Sequence, residues 1–409
     1  MTSLSLVAAP GTSSLPPTDV EIPPAPQKLS GLVPFVFYVH TVETTYTASV
    51  LVSLLGIFTN AASLKAFLAM GDVFKDGVAL TFFLLALTDL SVCCLSLSWG
   101  VCALGNFVEQ HVNRFYRPAP PAPAGSSSVR YQLETRQLFA FPIDLSMVAV
   151  YSYVACSIFS MTTSLITTYL AVMRCLCVAR PLTFRASLSP GKTALLFGAF
   201  FTFSLVVRVP TLALTDVKVI FNPRINASRP AMWSHPTREL VKDMTWSVVD
   251  IPIPLAAEVT LTICVIVMGR ALKASANFRN KLASGMTSNS SDAHEKVDQS
   301  SSNPGKEETN GAISEDAAPI KLSKKEARII QQLVFISLLF LCCNIPKLIR
   351  IVIDSAEPEF SIRGRYRYLY GIVFTIQIIF EILNSSLNFF IYYKFNSRFK
   401  ESCISFCNC

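Results

Sequence analysis

Hydrophobic residues fall into seven long blocks along the chain, separated by segments rich in polar and charged residues. An α-helix needs about 20 apolar residues to cross roughly 30 Å of hydrocarbon, so each block predicts one transmembrane helix. The predicted spans are residues 46–70, 78–102, 145–172, 191–213, 246–270, 329–353 and 367–393. The pattern predicts an all-α integral membrane protein, a bundle of seven transmembrane helices.

The polar segments set the predicted domain boundaries. Residues 1–45, rich in Pro, Ser and Thr, predict a disordered extracellular tail. Residues 46–400 form the seven-transmembrane domain. Within it, the connection 271–328 is rich in Ser, Asn and Glu and lacks periodicity, which predicts a largely disordered third cytoplasmic loop. Residues 401–409 form a short Cys-rich cytoplasmic tail.

The segment after the last span predicts a short amphipathic helix on the cytoplasmic membrane surface. Its apolar residues recur at spacings of three and four, which places them on one helical face. These residues are Phe395, Phe399, Cys403 and Phe406. Basic residues between them would meet lipid headgroups. Three cysteines here are predicted palmitoylation sites, namely Cys403, Cys407 and Cys409.

The charge distribution bears on orientation. Basic residues lie near both membrane ends of the connection 271–328 and after the last span, and the positive-inside rule places these segments in the cytoplasm. We therefore predict a plasma-membrane protein with an extracellular N-terminus. The sequon Asn226-Ala227-Ser228 lies between the fourth and fifth spans and predicts glycosylation of Asn226. Loops on the other face also carry basic residues, so charge alone leaves the orientation open.

The composition excludes several classes of protein. Charged residues make up only 15% of the chain and hydrophobic residues 51%, whereas a soluble protein carries about 25% charged residues. The net charge of +8 suits an anionic membrane surface and contact with membrane lipid. Because basic and acidic residues are interleaved in the loops, no nucleic-acid partner is predicted.

The sequence offers no catalytic centre. An enzyme would need a nucleophile beside a base, or a metal cluster, but the four histidines lie in loops or at a span edge, and neither HExxH nor GxSxG occurs. We predict no enzymatic activity and no cofactor. A transporter or channel would show internal pseudo-symmetry, and the sequence contains no repeat. A seven-span transporter or ligand-gated channel is kept as the alternative function.

Ionisable residues within the spans are the first candidates for function, since each costs several kcal/mol in a bilayer unless it is paired or hydrated. They are Asp89, Arg174, Arg208, Asp250, Glu258, Lys347, Arg350 and Glu381. Snorkelling near a span end explains Arg208 and Arg350 as well as function does. It does not explain Asp89 or Glu381, which lie too deep.

Five short segments recur in a recognisable order in the spans. They are GIFTNAASL with Asn60, LALTDL with Asp89, RCLCVARPL from Arg174, CNIP at 343–346 and NSSLNFFIYY at 384–393. In this order they resemble the signature motifs of rhodopsin-like G-protein-coupled receptors. Within that family, RCLCVA-x-PL and NSS-x-NF are similar to invertebrate FMRFamide-type peptide receptors and to molluscan chemosensory receptors.

The resemblance implies a receptor that couples an extracellular peptide or small-molecule ligand to a heterotrimeric G protein. It also implies contacts of arrestin and a receptor kinase with the third cytoplasmic loop. The implied switch residues are Met173, Arg174, Glu326 and Tyr392. Met173 stands where the family carries an acid beside the arginine, and Glu326 stands where the partner carboxylate lies. Alternatively, Glu326 is one charge of a solvated KKEAR face.

The resemblance also implies a sodium pocket in the middle of the membrane. The corresponding residues are Asp89, Thr163, Asn384 and Asn388. Their chemistry agrees, because a hard cation prefers carboxylate, hydroxyl and amide oxygens. The alternative is a protonated Asp89 that is hydrogen-bonded between helices.

Two basic residues after the sixth-span proline suggest a ligand site. Lys347 and Arg350 are three residues apart, on one helical face. We predict that they bind an anionic group of the ligand, and that Asp250 or Glu381 receives any cationic end. Alternatively, the same acids, together with Asp354, neutralise the two basic residues in an internal network.

Two further residues complete the predicted ligand site, Cys156 and Gln377. Cys156 stands where amine receptors of the family carry an aspartate, which disfavours a biogenic amine. The chain also departs from the family at Asn344, in place of the sixth-span tryptophan, and at Phe389, in place of the seventh-span proline. Ala149 replaces the outer cysteine of the third span, and residues 213–245 contain no cysteine that could pair with one.

Overall fold

The computed structural model describes residues 33–112, 115–118, 131–134, 141–179, 189–222, 227–288, 324–362 and 364–407. Seven of the helices in this part of the chain are long and apolar enough to cross a membrane. Those spans are Phe35–Ala69, Gly77–Glu109, Leu145–Cys177, Pro190–Ala213, Arg238–Ala274, Ala327–Ala356 and Arg367–Phe395. The predicted fold class, an all-α bundle of seven membrane spans, is confirmed.

Nine α-helices are described. They are α1 (Phe35–Ala69), α2 (Gly77–Val112), α3 (Leu145–Ala179), α4 (Pro190–Ala213), α5 (Arg238–Thr245), α6 (Pro252–Ser288), α7 (Lys324–Ala356), α8 (Arg367–Phe395) and α9 (Ser397–Cys407). A π-helical turn, Trp246–Asp250, follows α5, and α6 continues the same span. The start of α4 shows a common device: Ser189 accepts a hydrogen bond from the amide of Lys192, and Pro190 occupies the first turn.

The first helix begins earlier than the hydrophobic block. It starts at Phe35, so the prediction of a disordered tail over residues 1–45 is wrong for residues 35–45; residues 1–32 lie outside the described chain. Threonines in this stretch donate hydrogen bonds to backbone carbonyls one turn earlier, as Thr41 does to Phe37 O at 2.7 Å. Their hydroxyl groups are therefore satisfied within the helix itself. The ring of Tyr38 stacks on Tyr368 of α8, with centroids 4.8 Å apart.

The connection 271–328, predicted to be a largely disordered cytoplasmic loop, is helical at both of its ends. Helix α6 continues to Ser288 and α7 begins at Lys324, so both ends of the predicted loop 271–328 are helical, and residues 289–323 lie outside the described chain. The continuation of α6 is rich in Ala, Lys, Leu and Arg, which are strong helix formers. A hydropathy pattern marks only the apolar part of such a helix.

Helix α3 lies at the centre of the bundle, where it contacts α2, α4, α6 and α7, while α1 packs against α2 and α8. The α1–α2–α8 contact is close because small residues meet there. A Cβ built on Gly56 would lie 2.4 Å from both Cys93 Sγ and Ser386 Oγ. Asn60 secures the same contact, since its amide donates to Ser385 O at 2.8 Å.

Gly56→Ala is expected to lower the free energy of unfolding by about 1–3 kcal/mol, because the added methyl group forces two packed helices apart. The measurement is thermal unfolding of the purified protein in detergent. Gly198→Ala is the matched control: its Cβ would meet nothing within 4 Å. As alanine is the better helix former, that variant should be neutral or slightly more stable. Equal losses in both variants would refute the close contact at Gly56.

Two antiparallel hairpins lie in the connections at one end of the bundle. Strand β1 (Phe115–Pro118) pairs with β2 (Tyr131–Glu134). Strand β3 (Thr215–Asn222) pairs with β4 (Ala227–Ser234), from Thr215 opposite Ser234 to Asn222 opposite Ala227. The sequence prediction missed both.

The β3–β4 hairpin is held to the bundle by an ionic contact that we call the Arg229 clasp. The guanidinium of Arg229 lies 2.8 Å from Glu109 Oε1, at the end of α2, and 3.9 Å from Asp144 Oδ1, just before α3. The amide of Asp144 also donates to Pro230 O at 3.1 Å. The clasp thus binds the hairpin to the start of α3, the region where the sequence lacks a cysteine pair.

The amphipathic helix after the last span is α9, as predicted. Its residue Phe399 is fully buried against Phe67 and Tyr392, with ring centroids 5.0 and 5.7 Å away. Asn396 caps the helix by accepting a hydrogen bond from the Phe399 amide at 3.2 Å. Helix α9 is therefore attached to α1 and α8 through one buried ring.

Candidate functional site

A cavity of about 890 Å³ lies between the helices. It extends from Asn384 and Ser385 inside the bundle to Met232 of the β3–β4 hairpin. Such a volume suits a small organic ligand or the end of a peptide. All six residues predicted to bind a ligand line this one cavity: Cys156, Asp250, Lys347, Arg350, Gln377 and Glu381. That they bind a ligand stays a prediction.

Asp250 is already neutralised within the protein. Its two carboxylate oxygens accept hydrogen bonds from the guanidinium of Arg208, at 2.8 Å and 2.5 Å. Both side chains are less than a fifth exposed. Arg208 therefore has a bidentate partner and does not depend on snorkelling, and Asp250 is less able to receive the cationic end of a ligand than the sequence suggested.

The basic face of α7 is tied to α8 by a chain of polar contacts. Lys347 Nζ lies 3.6 Å from Glu381 Oε1, and the same oxygen accepts a hydrogen bond from Gln377 Nε2 at 2.9 Å. Gln377 Oε1 in turn accepts from Arg350 Nε. Of the internal network that the sequence left open, the contact between Lys347 and Glu381 is present, and Gln377 connects it to Arg350.

Arg350 is nevertheless held without an acidic partner. Its guanidinium carbon lies 4.5 Å from the ring centroid of Trp246, a cation–π contact. The predicted alternative partner Asp354 follows one turn later on α7, and no ion pair joins it to Arg350 within the described chain. The side chain of Arg350 is 3% exposed, so the ring and Gln377 replace most of its water.

Glu258 of α6 also lines the cavity, and the sequence prediction did not assign it to the ligand site. It is 8% exposed, and the side chain of Asn344 of α7 lies beside it. Asn344 precedes Pro346, which interrupts the hydrogen bonding of α7. Glu258 thus places a carboxylate beside the weakest turn of the sixth span. The sequence did mark Glu258 as an ionisable residue inside a span, but it did not indicate which residue would contact it.

A second polar cluster lies around Asp89, which is fully buried. Asn388 Nδ2 donates to Asp89 Oδ2 at 2.8 Å, and the Thr163 hydroxyl lies 3.3 Å from Oδ1. The structure brings these three predicted sodium ligands together, with Ser385 beside them. Asn384 instead lines the cavity, and in the described part of the chain no hydrogen bond joins it to Asp89.

One atom of this cluster favours a bound cation. Asn388 Oδ1 is buried and has no hydrogen-bond partner in the residues described. Leaving a buried acceptor unsatisfied costs about 1–3 kcal/mol. A hard cation such as sodium would use this oxygen together with the Asp89 carboxylate and the Thr163 hydroxyl. The donor set therefore fits sodium.

We predict that sodium stabilises the protein through Asp89. Replacing sodium chloride by N-methylglucamine chloride at equal ionic strength is expected to lower the melting temperature by about 2 °C, since selective binding to the folded state stabilises it by about 1 kcal/mol when the ion exceeds its Kd several-fold. Asp89→Asn should abolish the difference. If this variant responds to sodium as the parent does, no sodium binds at Asp89.

The predicted switch residues lie at the end of the bundle opposite the hairpins. Met173 is buried near the end of α3, and Arg174 beside it is half-buried. Tyr392 of α8 is fully buried between Phe67 and Phe82, with both centroids 5.4 Å from its own. The side chain of Glu326 lies outside the described residues, so its pairing with Arg174 stays a prediction.

The predicted modification sites are described only in part. Asn226 follows β3 and precedes β4 in the sequence, and it lies outside the described chain. Cys403 is half-buried against the apolar cluster around Phe399, so acylation would require it to leave that contact. The side chains of Cys407 and Cys409 are outside the described residues.

Comparisons with known proteins do not assign the chain to a family. No family model matches the sequence, and a search of curated proteins finds no match. The resemblance to rhodopsin-like receptors therefore depends on the motifs and their order.

Proposed function

We propose that the chain is a rhodopsin-like G-protein-coupled receptor at the plasma membrane, with the β3–β4 hairpin outside the cell. It transmits the binding of a peptide or small chemosensory ligand to a heterotrimeric G protein. The observation that carries the proposal is the cavity. Six residues chosen from the sequence for ligand binding, on α3, α7, α8 and the π-helical turn, line one space of ligand size.

A second observation supports the proposal. The motif residues of three spans meet in the bundle: Asn60 of α1 donates to the backbone of α8, and Asp89 of α2 accepts from Asn388 of α8. The resemblance implies that Asp89 and Asn388 share one pocket, and the burial of both contacts between cavity and switch residues suits a protein that relays a conformational change along its helices.

The test is a functional screen. Cells that express the chain, with an epitope tag to verify surface expression, are exposed to peptides and to small water-borne metabolites while sensors report the dissociation of each G-protein class. We expect at least one ligand to produce a response that is absent from cells expressing an Arg174→Ala control. A ligand-gated current without any G-protein response would instead establish the alternative, a channel.

We expect measurable signalling without ligand. Met173 cannot restrain Arg174 as an acid would, and the remaining Arg174–Glu326 pair is worth at most a few kcal/mol. Met173→Glu should lower the basal signal and Glu326→Ala should raise it, as read by G-protein dissociation at equal surface expression. Silence of the parent and both variants would contradict this prediction.

A further inference from the structure

The charged groups of the cavity are unequally neutralised. Asp250 is bound by Arg208 through two hydrogen bonds, and Glu381 is shared by Lys347 and Gln377. Glu258 differs from both. In the residues that the structure describes, no ion pair joins it to a lysine or arginine, and the side chain beside it, Asn344, is neutral.

The burial of Glu258 makes this arrangement costly. The residue is more than nine-tenths buried, and its side chain lines the cavity. A carboxylate in such a place is stabilised by a cation or by several hydrogen-bond donors. Lys347 is the basic residue whose charge acts on Glu258, but its ammonium group lies 3.6 Å from Glu381 Oε1 and is shared with that acid. The cavity therefore contains a buried carboxylate that no ion pair neutralises in the described part of the chain.

We propose that Glu258 is the counter-ion for a cationic group of the ligand. This inference rests on the proposed function and narrows the ligand to one that carries a positive charge at the end that enters the bundle. It also corrects the expectation from sequence, which assigned that end to Asp250 or Glu381. Both are occupied by neighbouring side chains. An anionic group of the same ligand would compete with Glu381 for Lys347, so the complementary ligand is dipolar.

The position of Glu258 suggests how such a ligand would act. A cation that binds Glu258 competes with Asn344 for the carboxylate, and Asn344 stands two residues before the proline of α7. Release of that contact loosens the link between α6 and α7 at the point where α7 lacks a backbone hydrogen bond. Ligand charge and helix movement are thus coupled through one carboxylate.

The first experiment measures the charge preference of the cavity without a known ligand. Asn344→Cys, in a Cys156→Ser background, places a thiol beside Glu258. The purified protein reacts with cationic trimethylammonioethyl methanethiosulfonate or with anionic sulfonatoethyl methanethiosulfonate, and mass spectrometry measures the rate at that cysteine. Because both reagents attack the same thiolate, their rate ratio, normalised to a free thiol, reports the local charge. Ser160→Cys, also in the cavity wall, serves if Asn344→Cys does not fold.

We expect Glu258→Gln to reduce the preference for the cationic reagent about tenfold, as the loss of one charge at a few ångströms predicts. Glu258→Asp should keep the preference. Asp243→Asn, which removes an exposed acid from the mouth of the same cavity, should change it much less. A ratio that is the same in the parent and in Glu258→Gln would overturn the proposal.

A second experiment separates this inference from the proposed function. Small amines, each paired with its N-acetyl derivative, are tested for thermal stabilisation of the purified parent and of Glu258→Gln. Amines that stabilise only the parent support the inference even if no G protein responds. Conversely, an agonist that activates a G protein equally through the parent and Glu258→Gln would overturn the inference and leave the receptor function intact.

Discussion

Arg208→Gln is expected to lower the free energy of unfolding by about 3 kcal/mol. The substitution leaves the Asp250 carboxylate without its bidentate partner, and both side chains are less than a fifth exposed. Breaking a buried ion pair by removing one partner costs about 3–5 kcal/mol. The lower value applies here because the pair faces a cavity.

Thermal unfolding in detergent measures this loss, and a double-mutant cycle isolates the pair. Asp250→Asn alone should also destabilise, whereas the double variant should lose about 2 kcal/mol less than the sum of the two. Lys242→Gln is the control, since its pair with Glu239 is about half exposed and contributes little. Additive losses at Arg208 and Asp250 would show that their contact does not stabilise the bundle.

Lys347→Gln is expected to weaken an agonist that carries an anionic group about ten- to a hundredfold. A charge-assisted hydrogen bond contributes about 1.5–3 kcal/mol, which corresponds to that range. The structure also offers a control variant that should have the opposite effect on the potency of the agonist. Glu381 lies 3.6 Å from Lys347, so Glu381→Gln would release the lysine and should strengthen the same agonist.

The comparison needs a neutralised analogue of that agonist. Lys347→Gln should affect the charged compound far more than the neutral one, in concentration–response curves of G-protein dissociation. Equal losses for both compounds would mean that Lys347 has a structural role within the internal network.

The number and order of the spans could be predicted from the sequence, because a transmembrane helix needs about 20 apolar residues and hydropathy detects such blocks. The ends of the helices did not follow from it. Helix α1 includes a polar stretch at residues 40–47, whose threonines donate to backbone carbonyls of the same helix, and α6 continues beyond the apolar block through residues 271–288, which mix small, polar and basic residues. Neither feature raises the mean hydropathy of its segment, so a search for apolar blocks does not detect it.

The β3–β4 hairpin left a weaker signal. Val217, Val219 and Phe221 alternate with other residues, a pattern typical of a strand. All three side chains are more than half exposed. The alternation could have predicted the strand, but it would also have predicted a buried face, whereas residues 216–221 are exposed on both faces of the strand. The attachment of the hairpin to the bundle runs through Glu109 of α2 and Asp144 before α3, which lie far away in the sequence.

The cavity residues show the same limit. Charges inside spans identified Asp250, Lys347 and Glu381 as important, and all three line the cavity. Their partners could not be derived from spacing, because Arg208 meets Asp250 across two different spans. The acid left without a basic partner, Glu258, could be recognised only after the other pairs were known.

The Arg229 clasp affects how the hairpin end of the protein is assembled. A hairpin fastened by a disulfide must wait for thiol oxidation, which takes seconds to hours and depends on an oxidant. Here one guanidinium and two carboxylates hold the hairpin, and residues 213–245 contain no cysteine. Reducing agents would therefore leave the cavity wall in place. Protein synthesised in a cell-free lysate that contains dithiothreitol should have the same hairpin as protein that has passed through an oxidising compartment.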